Sequence, residues 1–252
     1  MAADDSLGPV DFHCHLDLCE DMQKAYEDCD RIRCITLAVT TTPRAFARNE
    51  AMAKRTSHVH AALGLHPQLV AQRSAEVALF EDLAGGSRFI GEIGLDAGRR
   101  FYPSFDRQKQ VLERALTVCA KHGDKIISLH SVRAAKHVLD ALERTGAYRT
   151  CRPILHWFSA SDAEIRRALD LGCLFSVNEK MLISPRGKAL LSVVPVKRLL
   201  TETDSPFQNR DDISLQPGDV MGAVRMMADA YHKEPDVIQQ QVRQTATMLT
   251  NF

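Results

Sequence analysis

Along this chain, short runs of Ile, Leu and Val recur eight times, and between them the apolar residues change to a helical spacing. The runs are Val10–His15, Cys34–Thr40, His58–Leu65, Arg88–Leu95, Lys125–His130, Pro153–Trp157, Cys173–Val177 and Arg198–Thr203. Their nearly continuous apolar character is that of strands buried on both faces, as in parallel sheets. Pro43 opens a helical stretch at its first turn, with Ala45, Met52 and Ala53 at helical spacing. Ser104 is placed to cap Phe105–Lys121, in which Val111, Leu112, Ala115, Leu116 and Cys119 share a face and Gly123 provides the stop. Ser161 caps a helix to Leu171, closed by Gly172, and Pro217–Tyr231 and Glu234–Met248 read as two more, the second entered through Pro235. Eight βα units predict an α/β TIM (β/α)8 barrel, since an open doubly wound sheet usually has about five or six strands. The 252 residues match the ~250 such a barrel uses. No Pro/Gly/Ser-rich linker interrupts the series, so one domain over residues 1–252 is expected.

Composition narrows the function. The formal net charge is zero, which argues against coating nucleic acid by phosphate neutralisation but allows a few phosphates to be gripped at one end. No apolar run approaches the ~20 residues that span a membrane, so no membrane association is expected. The N-terminal Met-Ala-Ala-Asp-Asp-Ser has neither the basic nor the apolar region of a leader. Seven cysteines without a C-x-x-C pair read as reduced thiols and point to the cytoplasm.

The polar residues on this frame carry the chemistry. His13 and His15 alternate on the first strand and should face the same side, with Cys14 facing the other. Glu92 lies near the end of the fourth strand, His130 ends the fifth, His156 the sixth, and Asp204 follows the eighth. Barrel enzymes carry their catalytic groups at the C-terminal ends of the strands. Taken singly, a His-x-His can be a satisfied pair and Asp204, before Ser205-Pro206, a turn residue. Glu92 resists that account, because a carboxylate in an apolar strand needs a partner or a metal. Six residues of metal-ligand type from five strands make a metal centre the simplest joint explanation.

In order along the chain, Asp11-Phe12-His13-Cys14-His15-Leu16-Asp17, Gly64-Leu65-His66-Pro67, Gly91-Glu92-Ile93-Gly94-Leu95-Asp96, His130-Ser131, His156-Trp157-Phe158-Ser159 and Glu202-Thr203-Asp204-Ser205-Pro206-Phe207 resemble the TatD family of metal-dependent deoxyribonucleases, within the amidohydrolase superfamily. With Thr40-Thr41-Thr42-Pro43 and the Gly64-to-Val70 stretch, the chain looks closest to the TatD-like component of Qat-type anti-phage defence systems, which implies protein partners there. The family resemblance implies a two-metal centre: His13, His15 and Asp204 on one ion, His130 and His156 on the other, Glu92 bridging. It places His66 near the substrate phosphate rather than on a metal. Imidazoles mixed with carboxylates suit Zn²⁺ or Mn²⁺, with Mg²⁺ a weaker fit. A pair of cations ~3.5–4 Å apart lowers the pKa of a bound water and neutralises charge on a phosphodiester, with Asp204 as ligand and proton acceptor and Glu92 as its catalytic partner.

Around this centre, Glu202 and Asp96 read as groups that orient ligands or water. Arg99, Arg100 and Arg133 are rim cations placed to meet phosphates. His58, His60, His122, His137 and His232 fit no strand-end pattern. Three segments depart from the family: Ala97-Gly98-Arg99-Arg100 where an aromatic is usual, Ala160 for a usual glycine, and Gln208-Asn209-Arg210-Asp211-Asp212 after Phe207. All lie around the substrate and none at a proposed ligand. The expectation is 3′–5′ exonuclease-like hydrolysis of DNA, single-stranded or at ends. The alternatives are hydrolysis of an ester or amide, including one on aminoacyl-tRNA, and a subunit that requires a partner; the barrel alone does not choose among them.

Overall fold

The computed structural model describes residues 8–251, and there each of the eight apolar runs forms a strand: β1 (Val10–Cys14), β2 (Ile35–Val39), β3 (Val59–Ala62), β4 (Phe89–Asp96), β5 (Ile126–Val132), β6 (Arg152–His156), β7 (Leu174–Val177) and β8 (Leu199–Thr201). All residues of β1, β2, β7 and β8 are buried, as strands covered on both faces require. The strands hydrogen-bond in the orders β1-β2-β3 and β4-β5-β6-β7-β8. The N-terminal Met-Ala-Ala-Asp-Asp-Ser read above lies outside the described residues. Among those described, no helix is long and apolar enough to cross a membrane.

The chain divides into two compact units. One takes residues up to 38, Ala51–His60 and residues from 176 onward. In it β1 pairs parallel with β2, Val10 opposite Ile35 and Asp11 opposite Thr36, but the register slips before Cys14 meets Ala38. Phe12 and His13 together oppose the single residue Leu37, which is a β-bulge at a proposed ligand. β8 reaches β1 through the Thr201 hydroxyl, which donates to the Val10 carbonyl at 2.5 Å. The Pro235–Thr250 helix buries Ile238, Val242, Ala246 and Leu249, the stripe of an amphipathic helix.

The other unit takes Val39–Glu50 and Ala61–Phe175. Here β4, β5 and β6 pair in parallel, and Leu63 bridges to Ile90. Between Ile90–Ile127 and Ile93–Leu129 the register slips again, so Gly91 and Glu92 oppose the single residue Ser128. Glu92 thus sits in a second bulge. The Phe105–His122 helix buries the expected face, and Gly123, with φ 69°, ends it.

Several boundaries differ from expectation. Ser104 makes no capping bond: its hydroxyl donates to the Phe101 carbonyl and accepts from the Gln108 side chain instead. The helix expected from Pro217 begins at Met221, because Gln216 and Asp219 first close a turn on each other. Ser161 does cap its helix, in a reciprocal box with Glu164. Glu92 is in the middle of β4, His130 lies two residues before the end of β5, His15 is one residue past β1 and Asp204 three past β8. A short hairpin, β9 (Asn209–Arg210) with β10 (Ile213–Ser214), follows Phe207.

Candidate metal centre

In the first unit, main-chain pairing continues beyond the ends of β1 and β8. The Asp204 N–H donates to the His13 carbonyl at 2.9 Å, and the His15 N–H to the Ser205 carbonyl at 2.8 Å. These bonds set three side chains together. His13 Nε2 is 3.8 Å and His15 Nε2 3.6 Å from Asp204 Oδ1, and all three residues are buried. Asp204 takes a left-handed backbone, φ 52°, which an aspartate tolerates better than most residues.

Asp11 braces this arrangement from within the strand. Its carboxylate accepts from the Thr203 N–H at 2.9 Å, the Thr203 hydroxyl at 2.6 Å and the Gly218 N–H at 2.9 Å. Burial pushes its pKa up to about 6 against the pull of those donors. Sequence reasoning gave Asp11 no role, although it is a carboxylate in an apolar strand, the signal that singled out Glu92. Glu202, also buried, accepts from the Ser176 hydroxyl and from the Asn178 side-chain amide at 2.7 Å, tying β8 to the end of β7.

In the second unit the bulged Glu92 gathers histidines. His130 Nδ1 is 2.6 Å and His156 Nε2 4.0 Å from Glu92 Oε1, while His66 Nε2 is 3.1 Å from Glu92 Oε2. His66 Nδ1 accepts the Gln68 N–H at 3.1 Å, so its Nε2 carries the proton that faces Glu92. His66, Glu92 and His130 each offer a ligand atom within 4.8 Å of the others, so His66 lies beside residues of metal-ligand type.

The second nitrogen of His130 faces Asp96 Oδ2 at 3.3 Å. Burial disfavours charge on this imidazole, but Glu92 and Asp96 outweigh it and raise its pKa to about 9. Burial opposes ionisation of Asp96 likewise, and the bonds from His130, Gln68 and the Gly98 N–H hold it below the usual carboxylate range. The Gln108 side chain grips the main chain of Asp96 on both sides, accepting from its N–H at 2.7 Å and donating to its carbonyl at 3.1 Å. Gln108 is fully buried, and its signal was a polar residue on the apolar face of its helix. Arg99, Arg100 and Arg133 are exposed, with the Arg100 guanidinium over the Phe101 ring.

The donors suit a metal ion. Separations of 3.6 and 3.8 Å exceed the hydrogen-bond range and approach the ~3.4 Å between neighbouring ligand atoms around an ion bound at ~2.1 Å. Buried imidazoles with carboxylates are the ligand chemistry of Zn²⁺ and similar ions.

Comparison with known proteins agrees with this chemistry. A family model described as TatD related DNase matches residues 10–251. The metal-dependent hydrolase YjjV of Escherichia coli (strain K12) is 29% identical over 231 residues, covering 87% of each chain. Its crystal structure matches with a TM-score of 0.81 at 26% identity, covering 95% of this chain and 96% of that one. The expected α/β TIM-barrel fold of the amidohydrolase type is therefore the fold of this chain. Deoxyribonuclease TATDN3 of Homo sapiens is 27% identical over 219 residues, 79% of this chain and 78% of the human protein. The 3′-5′ ssDNA/RNA exonuclease TatD of Edwardsiella piscicida is 33% identical over 131 residues, 51% of this chain and 49% of that protein.

Proposed function

The chain belongs to the TatD-related DNase family of metal-dependent hydrolases, and from that premise we propose that it hydrolyses phosphodiester bonds of DNA at single-stranded ends, in the 3′–5′ direction. The observation that carries this reading is that His13 Nε2 and His15 Nε2 both lie within 4 Å of Asp204 Oδ1, which brings three buried groups of metal-ligand type together. Following the assignment the resemblance implies, His13, His15 and Asp204 would hold one divalent ion, His130 and His156 a second, and Glu92 both, over residues 1–252 as one enzyme. When bound, such ions lower the pKa of water and neutralise developing charge on phosphate. Zn²⁺ and Mn²⁺ suit the imidazole-rich set, with Mg²⁺ weaker.

The chain's own residues do the rest. Asp204 accepts the proton of the attacking water, Glu92 orients the histidines around it, and Asp96 and Gln108 hold His130 in place. His66 guides the substrate phosphate from its position on Glu92, and Arg99 and Arg133 meet the next phosphates from the rim. A cytoplasmic site of action is supported by seven free cysteines, and partnership in a Qat-type defence assembly by the sequence resemblance alone.

The test is metal-free protein resupplied with Mn²⁺, Zn²⁺ or Mg²⁺ and given end-labelled single- and double-stranded DNA, beside a Glu92→Ala control. Metal-dependent shortening from the 3′ end that vanishes in the control supports the proposal. Intact DNA, with cleavage of an ester or amide panel instead, would move the assignment to a small-molecule or aminoacyl-tRNA hydrolase.

A further inference from the structure

Phe207 is 60% exposed, yet its placement is firmly held. Its N–H donates to the Asp204 carbonyl at 2.9 Å. On one side the Pro206 carbonyl accepts from the Ser214 hydroxyl at 3.3 Å, and on the other the Gln208 carbonyl accepts the Leu215 N–H at 2.8 Å. The β9–β10 hairpin between these ties is itself latched: Arg210 donates from Nε and Nη2 to Glu179 Oε2, at 3.0 and 2.5 Å. So held, the Phe207 ring stands edge-on to His15, with centroids 5.2 Å apart at 80°. A single exposed apolar side chain is ordinary on a protein surface. An aromatic ring anchored on both sides, beside an imidazole of the proposed metal centre and with most of its surface in solvent, is built to receive something.

Resting on the nuclease reading above, we infer that Phe207 is the stacking surface for the base of the nucleotide whose phosphodiester is cleaved. A nucleobase meets an aromatic ring through dispersion and desolvation whatever its sequence, because every base has a π face. A ring already held in position loses little freedom when the base arrives. Its place beside His15, three residues after Asp204, sets the base next to the residues that handle the phosphate. A phosphodiester without a base has nothing to lay against this ring, so Phe207 selects nucleotides over simple phosphate esters.

Two short single-stranded oligonucleotides, identical except that the 3′-terminal nucleotide of one is abasic, test this. Binding to the metal-free protein is followed by fluorescence anisotropy, and hydrolysis after resupply with Mn²⁺. In the wild type, loss of the base is expected to weaken binding and lower kcat/KM by about tenfold to a hundredfold, the worth of one base stacked on an aromatic side chain. In Phe207→Leu, checked for an unchanged melting temperature, the two oligonucleotides should become nearly equivalent, and Phe207→Tyr should restore the difference. An equal penalty for the missing base in wild type and Phe207→Leu would overturn the inference while leaving the nuclease reading in place. Failure of the Mn²⁺-resupplied wild type to hydrolyse either oligonucleotide would overturn the nuclease reading and the inference with it.

Discussion

His130 is held between two carboxylates, its Nδ1 2.6 Å from Glu92 Oε1 and its Nε2 3.3 Å from Asp96 Oδ2. A neutral imidazole can donate to only one of them, so the metal-free protein holds the charged form, with a pKa near 9 despite burial. Because the folded-state pKa lies above the ordinary value of 6.5, the charged ring adds stability that is fully present below pH 6.5 and lost as pH rises through about 9. The difference in unfolding free energy between wild type and His130→Gln, both metal-free, should therefore shrink across that window. A metal ion taken by His130 must displace the same proton, so titration near pH 7.5 should release it, seen as a binding enthalpy that varies with the buffer. A buffer-independent enthalpy would count against His130 as a ligand.

Asp204→Asn should abolish turnover and leave the fold intact. Asparagine keeps the shape and tolerates the left-handed backbone at φ 52°, but lacks the charge and basicity to accept a proton. A loss of at least about a hundredfold in kcat is expected, with an unchanged melting temperature of the metal-free protein. Near-normal activity would remove Asp204 from the mechanism.

Gln108→Leu should loosen Asp96 without touching any proposed ligand. The change strands a buried N–H and a buried carbonyl of Asp96, each costing about 1–3 kcal/mol. The melting temperature should fall, and the raised pKa of His130 should drop toward its ordinary value, which a histidine-resolved NMR titration would report. A lower melting temperature with an unmoved His130 pKa would mean that Gln108 only supports the fold.

Gly94→Ala should be among the most damaging single-methyl additions in β4. A Cβ there would lie 2.1 Å from the His130 carbonyl oxygen, and φ is 149°, a conformation that side chains rarely adopt. Backbone on both strands must move, at a cost of about 2 kcal/mol or more. Thermal unfolding checks this, and wild-type stability would show that β4 and β5 separate there without penalty.

Much of the site was legible because residue chemistry is local. Glu92 stood out as a carboxylate in an apolar strand, and His13, His15, His130, His156 and Asp204 were placed near strand ends by hydrophobic patterning alone. Their exact seats were not legible. Alternation put His13 and His15 on one strand face, but a bulge at Phe12 and His13 breaks the alternation and His15 lies beyond the strand. Asp11 and Gln108 escaped notice as working residues because their partners, Thr203, Gly218 and Asp96, come from other segments.

By itself the sequence determined the eight strands, the helix ends at Pro43, Gly123, Ser161 and Pro235, and the types of side chain available to a metal, since burial patterning, caps and glycine stops act over a few neighbouring residues. Tertiary structure alone decided that β4 bulges opposite Ser128 to turn Glu92, that His130 is shared by two carboxylates, and that His66 meets Glu92. Those outcomes depend on strand register and on contacts between residues from 26 to 38 positions apart (Glu92 less His66, His130 less Glu92), and no local period encodes a one-residue slip between neighbouring strands.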